Sequence, residues 1–175
     1  MNIDFIILAA GKGTRMGGDS PKVLASLAGK PMIQHLIDTV DSFPSSKTSI
    51  VVGYKSNEVE RDLVSQKKLR FVKQKNQLGT AHAVKQALPN IRKNSVAVIL
   101  YGDVPLVKKN TLNRLIKSAS TGKLSLLTFI KEDPTGYGRI IRGSKKSVQK
   151  ITEHKDASSV EKEIREVNSG ILAIK

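Results

Sequence analysis

The first 130 residues alternate short unbroken apolar runs with stretches in which apolar residues recur every three or four positions. "FIILAA" (5–10) has no polar side chain on either face, the mark of a strand covered on both sides. After Pro31, "MIQHLIDTV" puts Ile33, Leu36, Ile37 and Val40 along one side of a helix. "TSIVVG" (48–53), "LRFV" (69–72), "SVAVILY" (95–101) and "KLSLLTFI" (123–130) read as further strands. Helical stretches separate them. Ser56 and Asn57 are expected to cap "EVERDLV", Thr80 to cap "AHAVKQAL", and Thr111 to begin "LNRLIKSA". This alternation predicts an α/β fold with a doubly wound, mainly parallel sheet.

After residue 133 the rhythm changes. "YGRIIR" and "SVQKITEH", joined by "GSKK", predict a β-hairpin insertion near 137–153. A short helix near 157–165 and a last strand, "SGILAI", follow. No internal repeat or low-complexity tract interrupts the pattern. In open α/β sheets ligands sit beyond the carboxyl ends of the strands, so the loops after the strands are where function is expected.

Composition narrows the classes. A chain of 175 residues fits one domain with a sizeable core, and the absence of cysteine excludes disulfides and thiolate metal sites. "FIILAA" is too short to span a membrane, and Asp4 without a basic leader argues against a signal peptide; a cytoplasmic protein with no membrane partner is expected. The net charge of +15 raises a nucleic-acid reading beside that of a solvated surface. Lysines outnumber arginines 22 to 8, and three Tyr, four Phe and no Trp leave few stacking platforms. Both features weigh against nucleic acid.

"LAAGKGTRMGGDSPK" (8–22) carries glycines at 11, 13, 17 and 18, three cations (Lys12, Arg15 and Lys22) and one acid, Asp19. It matches neither the P-loop nor the GxGxxG fingerprint. Two readings stand: a loop whose N–H groups and cations meet phosphate, or a tight turn with solvated cations. "YGDVPL" (101–106) places Asp103 just past an apolar strand, as a Mg²⁺ ligand or as a cap of the next turn. "QKNQLGTAHA" (74–83) offers Gln74, whose amide can read a base edge, and a Gly-Thr turn at a helix start. "PTGYGR" (134–139), "EHKDA" (153–157) and "VNSG" (167–170) supply a close-approach turn, a carboxylate and an amide suited to a hydroxyl-rich ligand such as a sugar. His35, His82 and His154 lack metal-ligand spacing and read as incidental; no Ser/His/Asp set suggests a covalent intermediate.

Taken in order, "LAAGKGTRM", "PKVL", "LAGKPM", "QLGTAHA", "YGDVPL", "DPTGYGRI", "EHKDA" and "VNSGI" resemble the uridyltransferase domain of the bacterial bifunctional N-acetylglucosamine-1-phosphate uridyltransferase/glucosamine-1-phosphate acetyltransferases. The first motif is shared by many sugar and alditol nucleotidyltransferases; the later ones together are specific. The resemblance implies the reaction of UTP with N-acetylglucosamine 1-phosphate to give UDP-N-acetylglucosamine, a cell-wall precursor, and pyrophosphate. It assigns the backbone of Leu8, Ala9, Ala10 and Gly11 to uridine, and Gln74, Gly79 and Thr80 to uracil. Arg15 and Lys22 would hold the phosphates in the transition state. Tyr101, Gly102 and Asp103 would line the junction with Mg²⁺ on Asp103, and Gly138, Glu153 and Asn168 would bind the sugar.

The family's uridyltransferase domain runs on past the position of Lys175, and its second Mg²⁺ ligand, an Asn, lies there. The β-helix acetyltransferase domain, which carries most trimer contacts, has no counterpart in residues 1–175. The expectation is therefore a C-terminally incomplete nucleotidyltransferase domain over 1–175, monomeric by itself and weak in holding Mg²⁺. Ala25 also stands where the family often has His. Two alternatives stay open: a nucleotidyltransferase for dTTP and glucose 1-phosphate or CTP and an alditol phosphate, or binding of nucleotide or nucleic acid without turnover.

Overall fold

Seven consecutive buried residues, Ile3–Ala9, make β1, and two parallel neighbours cover its edges. The computed structural model describes residues 1–11 and 20–175, divided between a larger unit (Met1–Ser125 with Leu172–Lys175) and a smaller one (Leu126–Ile171). After β1 the larger unit holds β2 (Ser26–Leu27), β3 (Lys30–Pro31), α1 (Met32–Asp41), β4 (Ser46–Val52), α2 (Ser56–Asp62), β5 (Leu69–Lys73), α3 (Thr80–Ala87), β6 (Val96–Tyr101) and α4 (Lys109–Ala119). Then come β7 (Ser125–Ile130), β8 (Arg139–Arg142), β9 (Val148–Thr152), α5 (Ser159–Lys162) and β10 (Glu166–Ile174).

In the larger unit the parallel strands run in the order β5–β4–β1–β6, as the apolar runs predict. Strand alternation sends Ile6, Leu8, Val51 and Ile99 to one face, where Ala83 and Ala87 of α3 cover them. On α1 the four predicted residues, Ile33, Leu36, Ile37 and Val40, are all buried. Phe43, just after α1, meets the Phe5 ring edge-on at 5.3 Å, which puts α1 on the opposite face from α3. Lys109 at the start of α4 lies over the same Phe43 ring, so helices flank both faces.

Several local expectations are corrected. The residue preceding α2 is Lys55, in the left-handed region at φ 47°, and Ser56 and Asn57 lie inside the helix. Gly79, at φ 95°, caps α3, and Thr80 is its first residue. α4 begins at Lys109, two positions before Thr111. The last strand, whose direction the sequence leaves open, is antiparallel, in keeping with a sheet that is mainly parallel: Leu172, Ala173 and Ile174 pair with Ile99, Val98 and Ala97. The β2–β3 hairpin and a 3-10 turn at Lys22–Leu24 were not expected.

The smaller unit is built on the predicted hairpin. β8 and β9 pair antiparallel from Arg139–Thr152 to Arg142–Val148, with a register shift at Ile141/Arg142. β10 pairs with β8 at Val167–Arg139, and β7 pairs with β10. Ser158 and Glu161 form a reciprocal capping box that starts α5, each satisfying the other's backbone N–H.

Candidate functional site

The strand order reverses at β1: the chain moves outward through β4 and β5, then returns to place β6 on the other side of β1. Where the order reverses, the loops leaving adjacent strands diverge and leave a crevice at the carboxyl ends. Here the crevice is a cleft of about 400 Å³. The end of β1 contributes Leu8, Ala9, Ala10 and Gly11; the end of β6 contributes Tyr101 and Asp103. The β5–α3 connection contributes Gln74, Gly79 and Thr80, and Lys22 enters from the 3-10 turn. Residues up to 95 positions apart, selected from separate motifs, thus line one cavity.

Asp103 sits two residues past β6, fixed by the sheet behind it. Lys22 Nζ donates to its Oδ2 at 2.8 Å, and both side chains are about a third exposed. The turn after β6 closes through the Val104 N–H to the Tyr101 carbonyl, and the hydrogen bond to the Asp103 carboxylate among the described residues comes from Lys22. Gly102 between them does not line the cleft. Its N–H donates to the Leu8 carbonyl at 2.9 Å, and a Cβ there would lie 3.0 Å from Val23 Cγ1 and 3.2 Å from both Ile33 Cδ1 and Leu8 O. Gly102 therefore lets β6 lie close enough to β1 for Asp103 to reach the cleft.

Gln74 is only 5% exposed. Its N–H donates to the Val52 carbonyl at 2.8 Å, prolonging the β4–β5 ladder, and its side-chain nitrogen donates to Gly79 O at 3.1 Å. Gly79 needs its positive φ to turn the chain into α3 at that point, a conformation L side chains rarely adopt. Sequence reasoning missed Val23, Gln77 and Ala83, which also line the cleft. Gln77 Nε2 donates to the Ala10 carbonyl at 2.9 Å across 67 positions of chain. A second amide three residues after Gln74 was its only signal in the sequence.

Gly138, Glu153 and Asn168 meet within the smaller unit. Asn168 N donates to the Gly138 carbonyl at 2.9 Å, and a Cβ on Gly138 would fall 2.9 Å from Ile151 Cγ2 and 3.2 Å from Glu153 Oε1. Arg139, next to them, was not singled out, yet it is 1% exposed. Its guanidinium donates to the carbonyls of Tyr137 and Lys162 and to His154 Nδ1. His154 is therefore a structural acceptor, His35 Nε2 lies 2.7 Å from the Leu27 carbonyl, and His82 Nδ1 lies 2.9 Å from Gln74 Nε2. Among the described residues no group of three or more His, Asp or Glu side chains gathers as a metal cluster. Lys12 and Arg15 lie outside the described residues. No helix among the described residues is long and apolar enough to cross a membrane.

A parallel sheet with its cleft at the reversal of strand order, lined by a lysine–aspartate pair and a buried amide, defines a nucleotide-handling α/β domain. The family follows: residues 5–166 match the MobA-like NTP transferase domain, and the chain belongs to that family of nucleotidyltransferases. Among curated relatives it is 46% identical to the bifunctional protein GlmU of Cellvibrio japonicus over 173 residues, and 48% identical to that of Ruthia magnifica. Each match takes in 99% of this chain and 38% of the relative, so the chain spans little more than a third of the relatives' length. A solved UDP-glucose pyrophosphorylase complexed with UDP-glucose superposes with a TM-score of 0.77 over 99% of this chain and 76% of the other. At 18% identity that likeness establishes the fold alone.

Proposed function

We propose that the chain is a uridyltransferase domain that joins UTP and N-acetylglucosamine 1-phosphate, giving UDP-N-acetylglucosamine and pyrophosphate. The observation that carries this reading is the cleft itself, in which the Lys22–Asp103 pair and the Gln74–Gly79–Thr80 segment line the same cavity at the strand reversal. Its size suits a nucleotide, and its polar groups are of two kinds: charges for phosphate and a neutral amide for a base.

A sugar-phosphate oxygen bonds to the α-phosphorus of UTP as the bond from that phosphorus to the bridging oxygen breaks, and pyrophosphate leaves. Little covalent chemistry is asked of the protein, so positioning and charge stabilisation supply most of the rate. Lys22 neutralises phosphate oxygens, and Arg15 acts where charge moves between bridging and terminal oxygens. Gly138, Glu153 and Asn168 bind the N-acetylglucosamine moiety. Asp103 is the one acid among the described residues of the cleft, which fits Mg²⁺ as a cation taking one protein carboxylate and its other oxygens from phosphates and water. When bound, Mg²⁺ neutralises phosphate charge and orients the triphosphate. Lys22 pairs with Asp103, and its ammonium would be within reach of phosphate beside a cation held by that carboxylate.

Titration of the chain with UTP, CTP, dTTP and GTP, with and without Mg²⁺, tests the reading, together with pyrophosphate release on a panel of sugar phosphates. UTP should bind best, Mg²⁺ should strengthen it, and Asp103→Asn should abolish the Mg²⁺ effect. Preference for CTP or dTTP over UTP would replace the reading with one of the sister nucleotidyltransferases.

A further inference from the structure

Gln74 presents an amide to the cleft, and an amide is ambiguous: a half turn exchanges its oxygen for its nitrogen, an acceptor for two donors. Which end faces a base decides what base it accepts. The surroundings of Gln74 remove the ambiguity. Gly79 O, 3.1 Å from Nε2, is a carbonyl and can only accept, so the nitrogen must face it. The same nitrogen lies 2.9 Å from His82 Nδ1. It has two hydrogens, one for each neighbour, so Nδ1 accepts the second. His82 is then the neutral tautomer with its proton on Nε2. On that side lies the Gln86 amide, its nitrogen 3.2 Å from Nε2 and 3.4 Å from the His82 carbonyl. Both contacts are longer than the two that hold the Gln74 nitrogen, so Gln86 is the amide that turns, giving up the contact to the His82 carbonyl and bringing its oxygen to the Nε2 proton.

Both hydrogens of the Gln74 nitrogen are thereby committed within the protein, and Oε1 is left as the group available to a ligand. A fixed acceptor distinguishes pyrimidines at N3. Uracil carries N3–H and donates to it; cytosine has a lone pair at N3 and is repelled. A single anchor at Gly79 would hold the amide less firmly, because the turned form would give up one hydrogen bond rather than two.

We propose that His82 is a positioning residue: it fixes the orientation of the Gln74 amide and through it the preference for uracil over cytosine. This rests on the nucleotide reading given above. His82 itself touches Gln74 and Gln86 rather than the nucleotide, and the histidine that reads as incidental in the sequence acquires a role in specificity.

The test uses two substitutions with the same branched side-chain skeleton. His82→Asn places an amide oxygen about where Nδ1 stood, and His82→Leu has the same shape without an acceptor. Dissociation constants for UTP and CTP are measured by calorimetric titration in metal-free buffer, with melting temperature as a check of folding. One neutral hydrogen bond is worth about a 2- to 12-fold change in an equilibrium. The CTP/UTP ratio of dissociation constants should therefore fall about 3- to 10-fold in His82→Leu and stay within about twofold of wild type in His82→Asn. Alanine replaces leucine should the leucine variant not fold. A leucine variant that keeps the wild-type ratio, or an asparagine variant that loses as much as leucine, overturns the proposal. A wild-type chain with no preference for UTP overturns the uridine reading instead.

Discussion

Gly53→Ala tests how closely the cleft's floor is packed. Gly53 follows β4, and a Cβ there would stand 2.9 Å from the Ala10 carbonyl oxygen, 3.0 Å from Ala10 Cβ and 3.3 Å from its Cα. Two of these three neighbours are backbone atoms, which cannot swing aside as a side-chain tip would. Ala10 must move by several tenths of an ångström, and it lines the cleft. Its carbonyl also accepts from Gln77 Nε2 at 2.9 Å and from Tyr54 N at 3.5 Å. Overpacking of this sort costs about 1–3 kcal/mol, which for a domain of this size lowers Tm by about 2–12 °C. Loss of the Gln77–Ala10 bond and the shift of the β1 end should also weaken UTP binding about tenfold, or ~1.4 kcal/mol. Thermal unfolding and calorimetric titration measure both. Gly11→Ala is the stability control, since among the described residues nothing lies within 4 Å of its added Cβ; it should change Tm by less than about 2 °C. If Gly53→Ala melts with the wild type and binds UTP equally well, the contact is slack and the reasoning fails.

Three further outcomes are expected. Lys22→Met should leave Tm nearly unchanged, because a part-exposed pair contributes below about 1 kcal/mol; by freeing Asp103 it should tighten Mg²⁺ binding in the absence of nucleotide while weakening UTP, and movement of both in one direction on titration contradicts it. Arg139→Met removes a buried guanidinium and strands the Tyr137 and Lys162 carbonyls, at a cost of about 3 kcal/mol in urea unfolding. Arg139→Lys should rescue little of it, since one ammonium cannot span the fork; a loss under about 1 kcal/mol for methionine counts against this. The hydrogen bond from Lys150, then that from the Ser158 N–H, hold the Glu161 carboxyl at about 2, below its ordinary 4.5. A depressed folded value stabilises above the unfolded value and is lost as pH falls from about 4.5 toward about 2. Glu161→Gln should therefore flatten the fall in urea midpoint between about pH 6 and about pH 3, and an unaltered slope argues against the linkage.

What the residues by themselves determined is the layering. Continuous apolar runs such as Phe5–Ala10 must be covered on both faces, and Ile33, Leu36, Ile37 and Val40 at helical spacing must turn one side of α1 inward. These are local facts of period and hydrophobicity, so they are legible in the chain, and with them the rule that ligand loops follow the strands. Strand direction is not local: "SGILAI" has the same apolar pattern whether it runs parallel or antiparallel, and only its partner β6 decides. The helix starts were set by backbone conformation, left-handed at Lys55 and at positive φ at Gly79, where side-chain capping rules favoured Ser56, Asn57 and Thr80. Within the cleft, residue types were legible but pairings were not. Lys22 meets Asp103 across 81 positions and Gln77 meets Ala10 across 67, because hydrogen-bond partners are chosen by which loops the strand reversal brings together. The importance of Gly53 and His82 likewise exists only in three dimensions: one is a missing Cβ against another strand's backbone, the other an acceptor that leaves an amide one orientation.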